Sequence, residues 1–352
     1  MNKLDNGVVF GPFIGEFGWE IMFWHGWVKK LCREKFRETP KYVICQRGRE
    51  LLYPDADFIL PIPTWFENLN TSGCGHITDG WKNGLPGLRM IDRRTKFANI
   101  RKYIQSGFKN EIPWHGLDIS TFASMMLDEV KRKHGLSDDF HYFIPWQGGE
   151  FEGVHYGCPV VERYETQTFQ QHRIRFEDQL FEKLSSKALT NIPSSVTEID
   201  TNRGLISIFP RSRSMRRPSS NWPLNDYISL INYLNQQYSD FQIAMLGIPQ
   251  GAYNDSRLFN GNIDLINIPS DEATSSHIIA LENSALAIGS ISGAMNLALL
   301  CGTPIVTWGS TAAYEDLQNT NIFRTPLEFI DNPRPTHYEV LKVIKKMIKT
   351  HG

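Results

Sequence analysis

The sequence predicts an α/β protein built from two parallel-sheet domains. Short apolar runs bounded by turn residues alternate with segments of helical period, once in the N-terminal half and again, more cleanly, in the C-terminal half. The stretch from Ala285 to Thr307 holds the unit of that alternation. Ala285-Leu286-Ala287-Ile288 reads as a strand buried on both faces, Ser290-Ile291-Ser292-Gly293 as a tight turn opening a helix, Gly302 and Pro304 as its stop, and Ile305-Val306-Thr307 as the next strand. At 352 residues the chain has length for two such domains.

In chain order, Val8-Val9-Phe10 is a strand. A glycine-rich loop follows, Gly11-Pro12-Phe13-Ile14-Gly15-Glu16-Phe17-Gly18-Trp19-Glu20, and then Ile21, Met22, Trp24, Trp27, Val28 and Leu31 recur at helical spacing. Tyr42 to Cys45 and Phe58 to Leu60 are further strands. Residues 63 to 88, rich in Gly, Asn, Thr and Pro, read as a long surface loop. Residues 89 to 109 carry seven basic side chains against one acid, with Phe97, Tyr103 and Phe108 interleaved. That run is either a solvated helix face or a grip for a polyanion. Residues 122 to 134 predict an amphipathic helix with Phe122, Met125, Met126 and Val130 inward. Phe143-Ile144-Pro145 is the next strand, residues 146 to 170 are irregular, a helix spans about 174 to 188, and Asn191 to Arg203 is a linker.

The second half opens with the strand Leu205 to Phe209. A loop with Arg211, Arg213, Arg216 and Arg217 and no acid follows it. Next come a helix from Asp226 to Gln237, strands at Phe241 to Leu246 and Leu265 to Ile268, and a helix from Ser275 to Asn283. The pattern weakens after Thr311 until a basic helix at about 336 to 349. Ligands of parallel sheets bind at the carboxyl ends of strands. The arginine loop and the Ser292-Gly293 helix start are therefore candidate anion sites, since guanidinium pairs phosphate bidentately and a helix start offers free N–H groups.

Composition narrows the function. The chain is 41% hydrophobic and 21% charged with a net charge of −1, so no global field draws it to nucleic acid or an anionic membrane. Five cysteines without CxxC spacing suggest neither a disulfide framework nor a zinc site. No leader or membrane-spanning run is evident, and the expected location is the cytoplasm. The first glycine-rich loop lacks the GxGxxG fingerprint and the GxxxxGK[ST] phosphate loop, so it supports neither NAD nor ATP use. It does carry Glu16 and Glu20, each either a helix-start partner or a catalytic carboxylate. Asp55-Ala56-Asp57 spells a DxD metal signature but sits in what reads as a solvated turn.

Several motifs of the second half stand in a familiar order: Phe209-Pro210-Arg211, Asn221-Trp222-Pro223, Met245-Leu246-Gly247, Ile291-Ser292-Gly293-Ala294-Met295-Asn296 and Gly302-Thr303-Pro304. Residues 204 to 312 thereby resemble the C-terminal domain of GT-B glycosyltransferases, most closely the ADP-heptose:lipopolysaccharide heptosyltransferase family. That family's acid is Ile291 here and its histidine is Asn296. The resemblance implies two Rossmann-like domains facing across a cleft: an acceptor-side domain over 1–195, a linker at 196–203, a nucleotide-sugar domain over 204–335 and a terminal helix over 336–352. It implies a metal-independent transferase with no cofactor beyond a nucleotide-diphosphate sugar as co-substrate. The donor would meet Arg211, Arg213, Arg217, Gly247, Ser292, Gly293 and Asn296. The acceptor, a glycan or glycolipid, would meet Gly15, Gly18, His25, Arg93 and Arg94. Glu20, or else Glu16, would be the base. Two alternatives stay open: a DNA acceptor held by the basic run, as in phage enzymes that glycosylate modified bases, and a nucleotide-sugar-binding protein without catalysis.

Overall fold

The computed structural model describes residues 7–13, 17–64, 119–145, 148–156, 174–189, 191–212, 220–249 and 251–351. The chain divides into two compact units, Met1–Phe181 and Glu182–Gly352. The division falls ahead of the expected boundary at 195. The reason is where residues 182 to 203 send their hydrogen bonds: Leu184 N–H donates to Leu300 O and Ser186 N–H to Glu282, both in the second unit.

The first unit holds a parallel sheet of β1 (Val8–Phe10), β2 (Lys41–Cys45), β3 (Phe58–Pro61) and β4 (His141–Phe143), in the order β3-β2-β1-β4. The chain rises through β1 into α1 (Phe17–Phe23) and α2 (His25–Glu34). The apolar spacing predicts one helix here. It is two, broken at Trp24, whose backbone leaves the helical range (φ −128°, ψ −58°). Gly11 is a required glycine: its φ is +103°, and a Cβ there would sit 2.5 Å from Ile44 O. The core is aromatic, with Phe10 stacked on Phe143 at 5.2 Å and Trp27 on Tyr156 at 5.0 Å. Tyr156 belongs to a hairpin, β5 (Gly149–Phe151) with β6 (Val154–Tyr156), within the stretch expected to be irregular. In α3 (Ile119–His134) Met126, Leu127 and Val130 are buried, but Met125 is 55% exposed, against expectation. The expected helix at 174–188 is absent. Two short 3-10 turns stand there, Phe176–Asp178 and Ser186–Ala188. Buried Gln179 explains the break: its Nε2 donates to the carbonyls of Met22 and Ile174, and Leu180 N–H is spent on Gly26 O.

The second unit is a six-stranded parallel sheet of β7 (Gly204–Phe209), β8 (Phe241–Leu246), β9 (Ile263–Leu265), β10 (Ser284–Ser290), β11 (Ile305–Trp308) and β12 (Leu327–Ile330). Its spatial order is β12-β11-β10-β7-β8-β9. Numbered within the unit that is 6-5-4-1-2-3, the doubly wound order, which reverses between the first strand and the fourth. The helices are α4 (Leu224–Gln237), α5 (Ser256–Phe259), α6 (Ala273–Glu282), α7 (Gly293–Cys301), α8 (Thr311–Asn319) and α9 (His337–His351). On one face Tyr227, Leu230, Ile231 and Leu234 of α4 and Val340, Ile344 and Met347 of α9 close over Ile206, Ile208, Ile288 and Trp308. Gly302 ends α7 in the left-handed conformation, φ +81°, as its sequence position predicts. The sequence pattern missed α8 and β12 and set β9 two residues late.

Both parallel α/β units were thus expected. The terminal helix begins at His337 and packs into the second unit's core.

Candidate functional site

The reversal point of the second unit lies between β7 and β10, which pair in parallel with Phe209 against Gly289. Ligands of such sheets bind outside the carboxyl ends of the strands at this point. Two segments leave the sheet here. One is Pro210-Arg211, the start of the arginine loop; the other is Ser290-Ile291-Ser292, which opens α7.

Arg211 is held rather than dangling. It is 8% exposed, its backbone bridges Ala252, and its Nη1 donates to Asn221 Oδ1 at 2.6 Å. Ser212 N–H donates to Gly251 O and Tyr253 N–H to Pro210 O, so the loops after β7 and β8 are laced together. Gly247 makes this possible. Its φ is +151°, and a Cβ would stand 3.0 Å from that of Ala252. The loop's return is fixed by Trp222, which is fully buried and donates from Nε1 to Pro335 O at 2.6 Å. The Asn-Trp-Pro motif therefore anchors the arginine loop at its far end, and Asn221 clasps Arg211. Arg213 and Arg217, with Arg216, lie outside the described residues.

At the start of α7, Ser292 occupies the cap position in extended geometry, and its side chain makes no capping bond. Gly293 is the first helical residue. The first N–H groups of a helix have no intrahelical acceptor, so this end of α7 points donors and positive potential outward. Close behind it, Ser290 is 2% exposed, and among the described residues its Oγ has no hydrogen-bond partner. The edge thus combines a guanidinium, the backbone donors of a helix start and an unspent hydroxyl, a set suited to phosphate oxygens. Asn296 stands a turn further on, where its Oδ1 accepts from Thr320 Oγ1 at 3.1 Å. It ties α7 to the segment after α8.

His277 was not anticipated. It projects from α6 to the carboxyl ends of β8 and β9, with Nε2 2.9 Å from Leu265 O and 3.4 Å from Gly247 N. Burial holds the ring below its ordinary pKa. A lone histidine between Ser276 and Ile278 gives no sequence signal of this position.

In the first unit the carboxylate expected to be a free base is neither free nor exposed. Glu20 is 0% exposed, in an ion pair with Arg49 Nη1, and accepts from Tyr53 Oη at 2.7 Å. Phe17 covers the guanidinium of Arg49 at 5.1 Å from its ring centroid. The Tyr53 hydroxyl is pushed well above its ordinary pKa by burial and by the Glu20 carboxylate, so it remains a donor. These contacts latch the segment after β1 to the segment after β2. Arg49 lies in Gln46-Arg47-Gly48-Arg49, the segment that leaves β2. His25, expected on the acceptor side, is also sealed. It is 0% exposed, lies edge-on to Phe181 at 5.6 Å, and is held neutral by burial and by Lys29, with its pKa lowered to about 3. It opens α2, where Phe181 closes over it, and so falls in the core. Gly18 lies in the first turn of α1, half-buried. Glu16, Gly15, Arg93 and Arg94 lie outside the described residues. Asp55 and Asp57 pair with Arg33 and Lys41, the latter at the amino end of β2. Among the described residues no cluster of acids, histidines or cysteines could hold a metal ion, and no helix is long and apolar enough to cross a membrane.

No family model and no curated protein matches the sequence. Among solved structures the chain is similar to the ADP-heptose lipopolysaccharide heptosyltransferase II of E. coli, with a TM-score of 0.47 and 13% identity over 98% of this chain and 99% of that one. It is similar to a family 9 glycosyl transferase from Veillonella parvula, with a TM-score of 0.45 and 12% identity over 99% of each chain. It is also similar to a putative UDP-N-acetylglucosamine 2-epimerase from Listeria monocytogenes, at 0.43 and 12%, over 98% of this chain and 88% of that one.

Proposed function

We propose that the chain is a glycosyltransferase that moves a sugar from a nucleotide-diphosphate donor to an acceptor hydroxyl of a glycan or glycolipid. The observation that carries the reading is the strand order of the second unit. It sets the reversal point between Pro210-Arg211 and Ser292-Gly293, the two segments that the sequence resemblance assigns to the donor diphosphate. In the transfer, the acceptor oxygen attacks the anomeric carbon as the bond from that carbon to the diphosphate oxygen breaks. Negative charge builds on the leaving diphosphate, and Arg211 with the N–H groups of α7 stabilises it. The acceptor's proton passes to a carboxylate. Glu20 is engaged with Arg49 and Tyr53, which leaves Glu16 as that loop's carboxylate for the step.

The engagement of Glu20 also favours a second reading, a nucleotide-sugar-binding protein without turnover. Hydrolysis separates the two. Incubated in EDTA with UDP-, GDP-, ADP-, CMP- and dTDP-sugars and no acceptor, a transferase slowly releases free sugar from one of them. Binding of a nucleotide sugar with no release from any, with or without Mg²⁺ or Mn²⁺, would establish the binding role instead.

A further inference from the structure

In doubly wound sheets that bind nucleotides, a carboxylate near the end of the second strand commonly accepts a hydrogen bond from a ribose hydroxyl. Here the second strand of the unit is β8. It runs into Gly247-Ile248-Pro249-Gln250-Gly251-Ala252-Tyr253, which contains no acid. The acceptor nearest that place comes from another element, His277 of α6.

The hydrogen bonds fix the state of this ring. Two backbone groups compete for Nε2: Leu265 O, which can only accept, at 2.9 Å, and the Gly247 N–H at 3.4 Å; the shorter contact, to Leu265, sets the proton on Nε2. Burial keeps the ring neutral, which makes Nδ1 a lone-pair acceptor. Among the described residues nothing donates to Nδ1. The ring also meets Phe209, the last residue of β7, edge to face at 6.4 Å. His277 therefore touches the carboxyl ends of the first three strands. Neighbouring strands are about 5 Å apart, and a ribose is one phosphoester from its diphosphate. A nucleoside diphosphate anchored at the reversal point thus brings its ribose within reach of β8.

We propose that His277 is the ribose-reading residue of this site, its Nδ1 accepting a hydrogen bond from the 2′- or 3′-hydroxyl of a nucleoside diphosphate. The inference rests on the reading of this edge as a nucleotide site. It makes the chain selective for ribonucleotides without a carboxylate.

Two substitutions separate this role from a structural one. His277→Gln can keep a donor where Nε2 meets Leu265 but has no acceptor at the place of Nδ1. His277→Asn places its amide at the Nδ1 position and gives up the Leu265 bond. Calorimetric titration of wild type and both variants would use UDP, ADP and GDP and their 2′-deoxy and 3′-deoxy forms, with thermal unfolding to check the fold. For the base that binds, wild type should prefer the ribonucleotide to one deoxy form by roughly tenfold, the worth of one hydrogen bond. His277→Gln should lose that preference and His277→Asn keep most of it. Equal binding of ribo and deoxy forms by wild type would overturn the proposal even if a variant failed to fold, and so would an undiminished preference in His277→Gln. Failure of every nucleoside diphosphate to bind wild type would overturn the nucleotide reading itself, and this inference with it.

Discussion

Glu20→Gln is expected to cost about 3–5 kcal/mol of folding stability, the usual result of removing one partner from a buried ion pair. The substitution keeps the shape and leaves an acceptor for Tyr53. It strands the Arg49 cation, which is 8% exposed and has little water to replace the lost carboxylate. Urea unfolding should show a lower midpoint with an unchanged slope. Replacing Arg49 by Gln in the same chain removes the stranded charge, so the double variant should recover a substantial part of the loss. Free-base behaviour would look different. A Glu20→Gln protein of near-native stability whose turnover fell by ~10²–10⁴-fold would return Glu20 to the role of base.

Acidification should destabilise the first unit through His25. Its folded-state pKa is lowered from 6.5 to about 3, so the native ring stays neutral while the unfolded ring takes up a proton below 6.5. The unfolded state then binds more protons, and stability falls as pH drops through the window from about 6.5 to 3. Between pH 7 and pH 5 this one group accounts for a loss of about 2 kcal/mol. His25→Phe removes the titration. Its ring also avoids burying two nitrogens that, among the described residues, have no hydrogen-bond partner. The variant should match or exceed wild type at pH 7 and gain relative to it on acidification. Parallel stability–pH curves for the two proteins would contradict the assignment. His141 and His277 are lowered by burial as well, so the difference between the two proteins is the relevant quantity, not the wild-type slope.

The strands and the main helices of both units were legible because each carries its own period. Leu286, Ile288 and the run Ile305-Val306 announce a sheet buried on both faces, and Tyr227, Leu230, Ile231 and Leu234 announce one apolar helix side. The reversal point was legible in part: glycine and serine at the start of α7 and arginine after β7 mark an edge, but strand order is a long-range property that no local window contains. What sequence reading misjudged was the fate of polar side chains. Glu20, at the end of the glycine-rich loop, and His25, beside Gly26 on the helix that follows, look available, yet their burial depends on Arg49, Tyr53 and Phe181, which are distant in sequence. The extended segment around Gln179 was misread for the same reason, since its backbone donors are satisfied by Gly26 and, at Leu184, by Leu300.

The most direct measurement of the central claim is calorimetric titration of wild type and Arg211→Ala with the nucleoside diphosphates UDP, ADP, GDP and CDP in EDTA. A charge-assisted hydrogen bond is worth about 1.5–3 kcal/mol. The account therefore predicts that one diphosphate binds wild type, that its nucleoside binds far more weakly, and that Arg211→Ala loses at least about tenfold in affinity for the diphosphate. Equal affinity of the two proteins for that diphosphate, with the variant folded, would contradict it.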